Sequence, residues 1–312
     1  MNPDRASQMV IFHTLVKAGS FTAAGKQLSV STSHISKQLG TLETALNVKL
    51  VQRTTRSFTL TEAGENYLQY CESVVKAIQD GEALMEDARD EISGVLRLGI
   101  SQSFGTMHLI PAIEQLQGHY PNLRVEISLF DHKADMIEDG LDLWITNYEH
   151  IPDGYVAQRL AETKFVVAAA PEYLLHHAAP SHPSELANHN CLTYQSRQRN
   201  YQSWSFKQQD RQLKVDVEGN YRVDLAEAVR DAAIAGWGVA YLATYLLRDE
   251  FKANKLIQLL PEWQANQSMP FYAVYPSRAH LPKKISAAIG FFKDYIGDTP
   301  YWDEDLSKHI SI

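Results

Sequence analysis

Cysteine is scarce: Cys71 and Cys191, far apart in the chain, are the whole supply. They form neither a disulfide framework nor a closely spaced metal or redox pair, and they suit a reducing compartment. Long apolar runs are missing, since nothing approaches the roughly 18 residues that a membrane-spanning helix needs. The opening segment, Met1-Asn2-Pro3-Asp4-Arg5-Ala6-Ser7-Gln8, is polar and leads into no signal-peptide core. That argues for the cytoplasm, against export and against a membrane partner. Enzyme signatures are absent as well: no G-x-S-x-G elbow, no Walker-type loop, no G-x-G-x-x-G and no H-E-x-x-H. The reading is a non-enzyme without a cofactor. What remains is ordinary globular composition, 312 residues with 45% hydrophobic and 21% charged, which is room for two domains.

Excess positive charge is missing too, because 29 basic residues meet 37 acidic ones for a net charge of −8. The figure conceals an asymmetry. Residues 1–65 carry seven basic and four acidic side chains, a net of +3, which leaves −11 for the rest. A basic end on an acidic body points that end toward a polyanion.

The basic segment reads as three short helices and a hairpin. Met9, Phe12, Leu15 and Val16 recur at helical spacing over about Arg5–Lys17. Gly19 ends that helix, and Ser20 caps a second, Phe21–Leu28, whose Ala23, Ala24 and Gly25 permit close packing. Ser31 caps a third over about Thr32–Leu46. There Ile35, Leu39, Leu42 and Leu46 form one apolar stripe, while Thr32, Ser33, His34, Ser36, Lys37 and Gln38 gather at the polar leading end. Such a helix docks by its stripe and reads a major groove with its leading end. Lys49–Leu60 then reads as a two-stranded wing with Arg53 and Arg56 flanking its tip, placed to meet phosphate or minor groove. The candidate DNA-binding residues are therefore Ser31, Thr32, Ser33, His34, Ser36, Lys37, Arg53 and Arg56.

The stretch from Phe12 to Gly64 resembles the LysR-type transcriptional regulators. The resemblance is carried by Gly19-Ser20-Phe21-Thr22-Ala23-Ala24, Leu42-Glu43, Arg53 with Arg56, and Leu60-Thr61-x-Ala63-Gly64. Four positions depart from the pattern. Gly25 stands where a third Ala is usual, Thr32 where Gln is usual, His34 where a small residue is usual, and Lys37 where Arg is common. The scaffold survives these changes, but the groove-facing surface, and with it the base preference, is altered.

Thr61 caps a long helix to about Asp87. Tyr67, Cys71, Val74, Ile78, Gly81 and Met85 alternate in steps of four and three, the spacing of a coiled-coil seam. The resemblance implies a linker helix that pairs two protomers. A dimer, with a tetramer as its extension, also suits double-stranded DNA with dyad symmetry, because two-fold symmetry doubles the base contacts.

From residue 92 strands alternate with helices, which argues an α/β domain with parallel sheets. A helix over about Phe104–Tyr120 is expected to kink at Pro111. A short helix is expected around Ala134–Asp139, and residues 298–312 read as a polar tail. Gly94-x-Leu96-Arg97-x-Gly99, Leu141-Asp142-Leu143 and Gly236-x-Gly238-Val239-Ala240 resemble the effector domain of the same regulators. The implied fold class is an N-terminal all-α winged helix-turn-helix with a long linker helix, followed by an α/β two-lobed domain like periplasmic solute-binding proteins. The implied domains are 1–65 (DNA-binding), 66–91 (linker), 92–298 (effector-binding) and 299–312 (tail). Lobe I takes 92–163 and 271–296, lobe II takes 169–268, and crossover strands lie near Lys164–Ala168 and Pro270–Val274.

Ligands in such sheets sit at the carboxyl ends of strands, and helix N-termini favour anions. That nominates Ser101, Gln102, Ser103, Thr146, Asn147, Tyr194, Gln195, Tyr221, Val223, Gly238, Val239 and Ala240 around a small organic, often anionic, effector. RNA polymerase is a further candidate partner of such a regulator. His176, His177, His182, His189 and Cys191 cluster in sequence, but their spacing fits no standard zinc site, so no metal is assigned.

Overall fold

The computed structural model describes residues 4–53, 58–87, 91–136, 139–196, 199–277 and 281–311. The chain divides into two compact units, Met1–Asp90 and Glu91–Ile312.

In the first unit, helices α1 (Arg5–Ala18), α2 (Phe21–Leu28) and α3 (Thr32–Leu46) precede a two-stranded wing, β1 (Val51–Arg53) and β2 (Phe58–Leu60), and the long α4 (Glu62–Asp87). Local chemistry sets these boundaries. Gly19 takes a left-handed φ of 68° after α1, and the Ser20 hydroxyl accepts the Ala23 N–H at 3.1 Å to start α2. Gly25 is required by its neighbourhood, since a Cβ there would lie 2.8 Å from the Val30 carbonyl oxygen. The close approach is thus to the turn that follows α2. Phe12, Leu15, Ala24, Ile35, Leu39, Leu42, Leu50 and Cys71 form the core of this unit.

The seam expected on α4 is only partly free for a partner. Cys71 is fully buried in the unit's own core, and the Tyr67 ring packs 6.3 Å from that of Phe12. Those two positions are spent on α1, because the first turns of α4 lie against it. Ile78, 42% exposed, lies beyond that contact, and the side chain of Met85 lies outside the described residues.

Among the described residues the second unit has three sheets. The first contains β3 (Gly94–Ile100), β4 (Leu123–Leu129), β5 (Leu143–Thr146), β6 (Tyr155–Thr163) and the late strand β15 (Met269–Pro276), in the order β4-β3-β5-β15-β6. Strands β4, β3 and β5 run parallel, while β15 returns antiparallel between β5 and β6. The second contains β7 (Phe165–Ala169), β8 (Cys191–Tyr194), β11 (Arg222–Val223), β12 (Val239–Ala243) and β13 (Ile257–Leu259), in the order β11-β8-β12-β7-β13. A small antiparallel sheet joins β9 (Ser203–Gln208), β10 (Arg211–Asp216) and β14 (Gln264–Ala265). The two large sheets are therefore mixed rather than parallel.

Helical segments cover these sheets. Helix α5 (Gln102–Phe104) continues through a π-helical turn, Gly105–Leu109, into α6 (Ile110–His119). Pro111 is the second residue of α6, directly after the π turn, and with no N–H it donates no bond back into that turn, so the interruption expected at Pro111 takes the form of a π turn. Around Ala134–Asp139 the described residues form a turn, with the Asp139 N–H on the Asp135 carbonyl at 2.8 Å, and Ile137 and Glu138 lie outside them. The short helix α7 (Pro171–Leu174), α8 (Ala226–Ile234) and α9 (Lys283–Ile296) follow.

Two expectations about connections change. The first crossover is the single residue Lys164, between β6 of one sheet and β7 of the other. The second lies at 266–268, because Pro270–Val274 already pairs with β6 in the first sheet. The supposed polar tail is the helix α10 (Tyr301–Leu306), with Trp302 3% and Leu306 1% exposed. Phe104 explains its docking: the ring stacks on Phe271 with centroids 3.8 Å apart and meets Trp302 edge-on at 5.9 Å.

Candidate nucleic-acid interface and effector cleft

The leading end of α3 is built by one serine. The Ser31 hydroxyl accepts the His34 N–H at 3.2 Å and lies 2.9 Å from the Ser33 hydroxyl, so it caps the helix. Ile35, Leu39 and Leu42 hold the opposite face in the core. Thr32, Ser33, His34 and Lys37 are exposed, Ser36 is half-buried, and Gln38 accepts from the Gln8 amide at 3.3 Å. These residues therefore share one solvent-facing surface. Arg53 ends β1 by its backbone, its side chain lies outside the described residues, and so does Arg56 altogether.

Glu43 fixes the wing to this helix. Its carboxylate is buried and accepts the backbone N–H groups of Leu50 at 2.9 Å and Val51 at 3.2 Å, and Lys49 Nζ lies 2.6 Å from the other oxygen. Burial by itself pushes the carboxyl up, but Lys49 and the two N–H groups together outweigh it and hold it below the usual range. Thr61 adds a second fastening, since it donates to the Lys49 carbonyl at 2.6 Å and accepts the Gly64 N–H at 3.0 Å. The bond to Gly64 is the helix cap expected of Thr61, whereas its hold on Lys49 and the role of Glu43 were not assigned from sequence, although both residues belong to the stretches that carried the resemblance.

The second unit holds a cleft of about 700 Å³, counted to its open mouth, between its two large sheets. Of the residues nominated from sequence, Ser101, Ser103, Asn147 and Tyr194 line it. The others go elsewhere. Gln102 and Gln195 are exposed, and Thr146 is fully buried with its hydroxyl accepting the Tyr148 N–H at 3.2 Å. Tyr221 meets Trp237 edge-on at 5.2 Å, and Val223 pairs with Tyr194 in β11. Gly238 admits neighbouring backbone rather than a ligand, since a Cβ there would lie 2.1 Å from the Asn190 carbonyl oxygen. Val239 and Ala240 are buried strand residues beside β8.

Sequence reasoning missed most of the wall: Phe165, Trp204, Tyr241 and Met269, and the polar Asp131, Arg199, Tyr201 and Tyr245. Asp131 occupies the helix start that was expected to receive an anion, because its carboxylate accepts the Gln102 N–H at 3.1 Å. Burial raises the Asp131 carboxyl, against the Gln102 N–H and Arg199, with Glu227 and Asp224 adding to the rise. Side chains bond across the cleft. Ser103 donates to Glu227 on α8, and Arg199 donates to the Asn147 side-chain oxygen at 2.7 Å. The Arg199 guanidinium also lies 4.0 Å from the centre of the Tyr148 ring. His108 ties the same region together, with Nε2 2.7 Å from the Tyr245 carbonyl and Nδ1 2.5 Å from the Tyr301 hydroxyl.

The clustered histidines are engaged locally. His177 stacks on Tyr173 at 4.2 Å, His182 Nδ1 accepts the Ser184 N–H at 3.2 Å, and Cys191 Sγ faces the Leu186 carbonyl at 3.4 Å.

Comparison with known proteins agrees with both halves. Residues 6–65 match the bacterial regulatory helix-turn-helix protein, lysR family, and residues 89–297 match the LysR substrate binding domain. The HTH-type transcriptional activator TtdR of Escherichia coli K12 is 30% identical over 92% of both chains. The activator AaeR of the same organism is 31% identical over 94% of both. Among solved structures, CrgA of Neisseria meningitidis, a LysR-type transcriptional regulator, is 26% identical, with a TM-score of 0.61 over 94% of this chain and 99% of that one. Full-length AphB of Vibrio cholerae shares the fold at 23% identity and a TM-score of 0.62, over 93% of this chain and 98% of that one. With a helix-turn-helix unit ahead of a substrate-binding domain built on two large sheets, the chain belongs to the LysR family of transcriptional regulators.

Proposed function

We propose that the protein is a cytoplasmic homo-oligomer that binds an operator of dyad symmetry and answers to a small organic effector held in the cleft. It acts by binding rather than by catalysis. The observation that carries the reading is the α3 leading end: Thr32, Ser33, His34 and Lys37 are exposed together on a helix whose other face is sunk in the core. In that arrangement Lys37 meets phosphate or a base edge, and His34 and the hydroxyls of Ser31, Thr32, Ser33 and Ser36 face the groove, while Arg53 and Arg56, read from the sequence as flanking the wing tip, meet phosphate or the minor groove. A dimer, or a tetramer of such dimers, presents two leading ends to two half-sites. Ser101, Ser103, Asn147 and Tyr194 contact the effector, which changes the angle between the lobes and so the spacing of the paired helices. RNA polymerase is the partner through which such a change reaches transcription.

Fluorescence anisotropy with the divergent intergenic DNA beside its own gene tests this. Binding should be steeply salt-dependent, and Lys37→Ala should lower the salt slope by about 1 if it neutralises one phosphate. Salt-indifferent binding, or no preference for that DNA over unrelated duplex, refutes the proposal.

A further inference from the structure

The residues facing the cleft favour a charge opposite to the one the sequence suggested. An anion entering beside Ser101 and Ser103 meets Asp131, which lines the cleft, and Glu227, which accepts from Ser103. The N–H at the helix start is already bonded to Asp131. Among the described residues, Arg199 is the cation of the lining, and it is held by the Asn147 oxygen and the Tyr148 ring. Glu227 stands behind Ser103 rather than on the wall, but Asp131 feels one guanidinium, Arg199, against the two further carboxylates of Glu227 and Asp224, so negative charge is in excess around it. Around it stand the rings of Phe165, Trp204, Tyr194, Tyr201 and Tyr245. Carboxylates set among aromatic faces are a receptor for an organic ammonium group, which gains from both the charge and the ring quadrupoles. A dicarboxylate would instead place like charges together in a partly desolvated space, which is unfavourable.

We infer that the effector carries a protonated amine on an apolar or aromatic body, with the ammonium bound between Asp131 and Glu227. This rests on the reading of the cleft as the effector site. A carboxylate on the same molecule is tolerated where it takes Arg199 from the Asn147 oxygen, with the ammonium offsetting the carboxylates around it, so amino acids fall within the class and simple acids, which lack that offset, fall outside it. The aromatic wall receives the body. Asp131 is a suitable probe of the class because asparagine keeps an oxygen for the Gln102 N–H while removing the charge.

Thermal shift and calorimetry on the full chain test this with matched triplets that differ only in charge. Phenethylamine, phenylalanine and 3-phenylpropionate form one set, and tryptamine, tryptophan and indole-3-propionate form another. At least one amine or amino acid is expected to raise Tm and bind, and its corresponding acid is not. Asp131→Asn is expected to weaken that binding at least about 10-fold, the loss of one charge-assisted contact, while Glu227→Gln weakens it in the same direction. Binding by the acids alone overturns the inference and leaves the cleft reading standing. Silence from every member of both triplets overturns the inference as well. Amine binding that survives unchanged in Val229→Trp, which fills the cleft, puts the ligand elsewhere, and the cleft reading then falls.

Discussion

Removing the Glu43 carboxylate asks how firmly the wing is fastened to α3. The Leu50 and Val51 N–H groups that it satisfies belong to residues 1% and 5% exposed, so water cannot replace it. Leaving a buried donor unpaired costs about 1–3 kcal/mol. Two such donors put Glu43→Ala at about 3 kcal/mol or somewhat more. Lys49 adds little, because its side chain is 77% exposed and such pairs are worth about 0–1 kcal/mol. Glu43→Gln keeps an acceptor and loses only the charge, so its cost is about 1 kcal/mol. All five tryptophans fall after residue 140, within the second unit, so tryptophan fluorescence does not see this change. Urea unfolding followed by far-ultraviolet circular dichroism, together with DNA binding, does see it. Because the folded-state carboxyl is held low, its contribution is complete at neutral pH and is lost as the pH falls through that lowered value. The advantage of wild type over Glu43→Gln should therefore shrink below about pH 4. A helical transition within about 0.5 kcal/mol of wild type in Glu43→Ala would refute the reasoning. So would an equal shift in the tryptophan transition.

Gly64→Ala places a Cβ 2.1 Å from the Leu50 carbonyl oxygen and is expected to destabilise the first unit by at least about 2 kcal/mol, with DNA binding lost before the tryptophan signal moves. Trp302→Ala, by contrast, removes a ring that is 3% exposed; it should cost about 3–5 kcal/mol in the tryptophan-monitored transition, and a silent substitution would mean that α10 is not part of the core. Burial pushes both thiols, Cys71 and Cys191, up to about 12, so iodoacetamide at neutral pH should label neither in the folded protein and both after unfolding. Rapid labelling of native protein would contradict their packing.

The first unit was legible because its signals are local. Ser20 and Ser31 cap the helices that follow them within three residues, and the stripe Ile35, Leu39, Leu42 sits on one helix. The cleft was legible only where strand ends predicted it, at Ser101, Ser103, Asn147 and Tyr194. Asp131 and Arg199 come from irregular segments that no periodicity marks, and only the sheets bring them together. On α4 the seam was only half legible for a related reason, since helical spacing tells which face is apolar and not which neighbour covers it. Tyr67 and Cys71 proved to face α1 of their own unit. Helix α10 is too short and too acidic for its two buried anchors, Trp302 and Leu306, to stand out.

The strand order β4-β3-β5-β15-β6 has a consequence for how the protein is made. During synthesis β5 and β6 leave the ribosome long before the strand that belongs between them. Their inner edges stay bare while on the order of 100 further residues are added, roughly 5–20 s at about 5–20 residues per second. Through that interval the nascent chain carries two hydrogen-bonding edges without mates, beside side chains as apolar as Trp144 and Ile145. Slow translation over the second half, or a shortage of chaperones, should therefore reduce soluble yield more than any change at the finished surface.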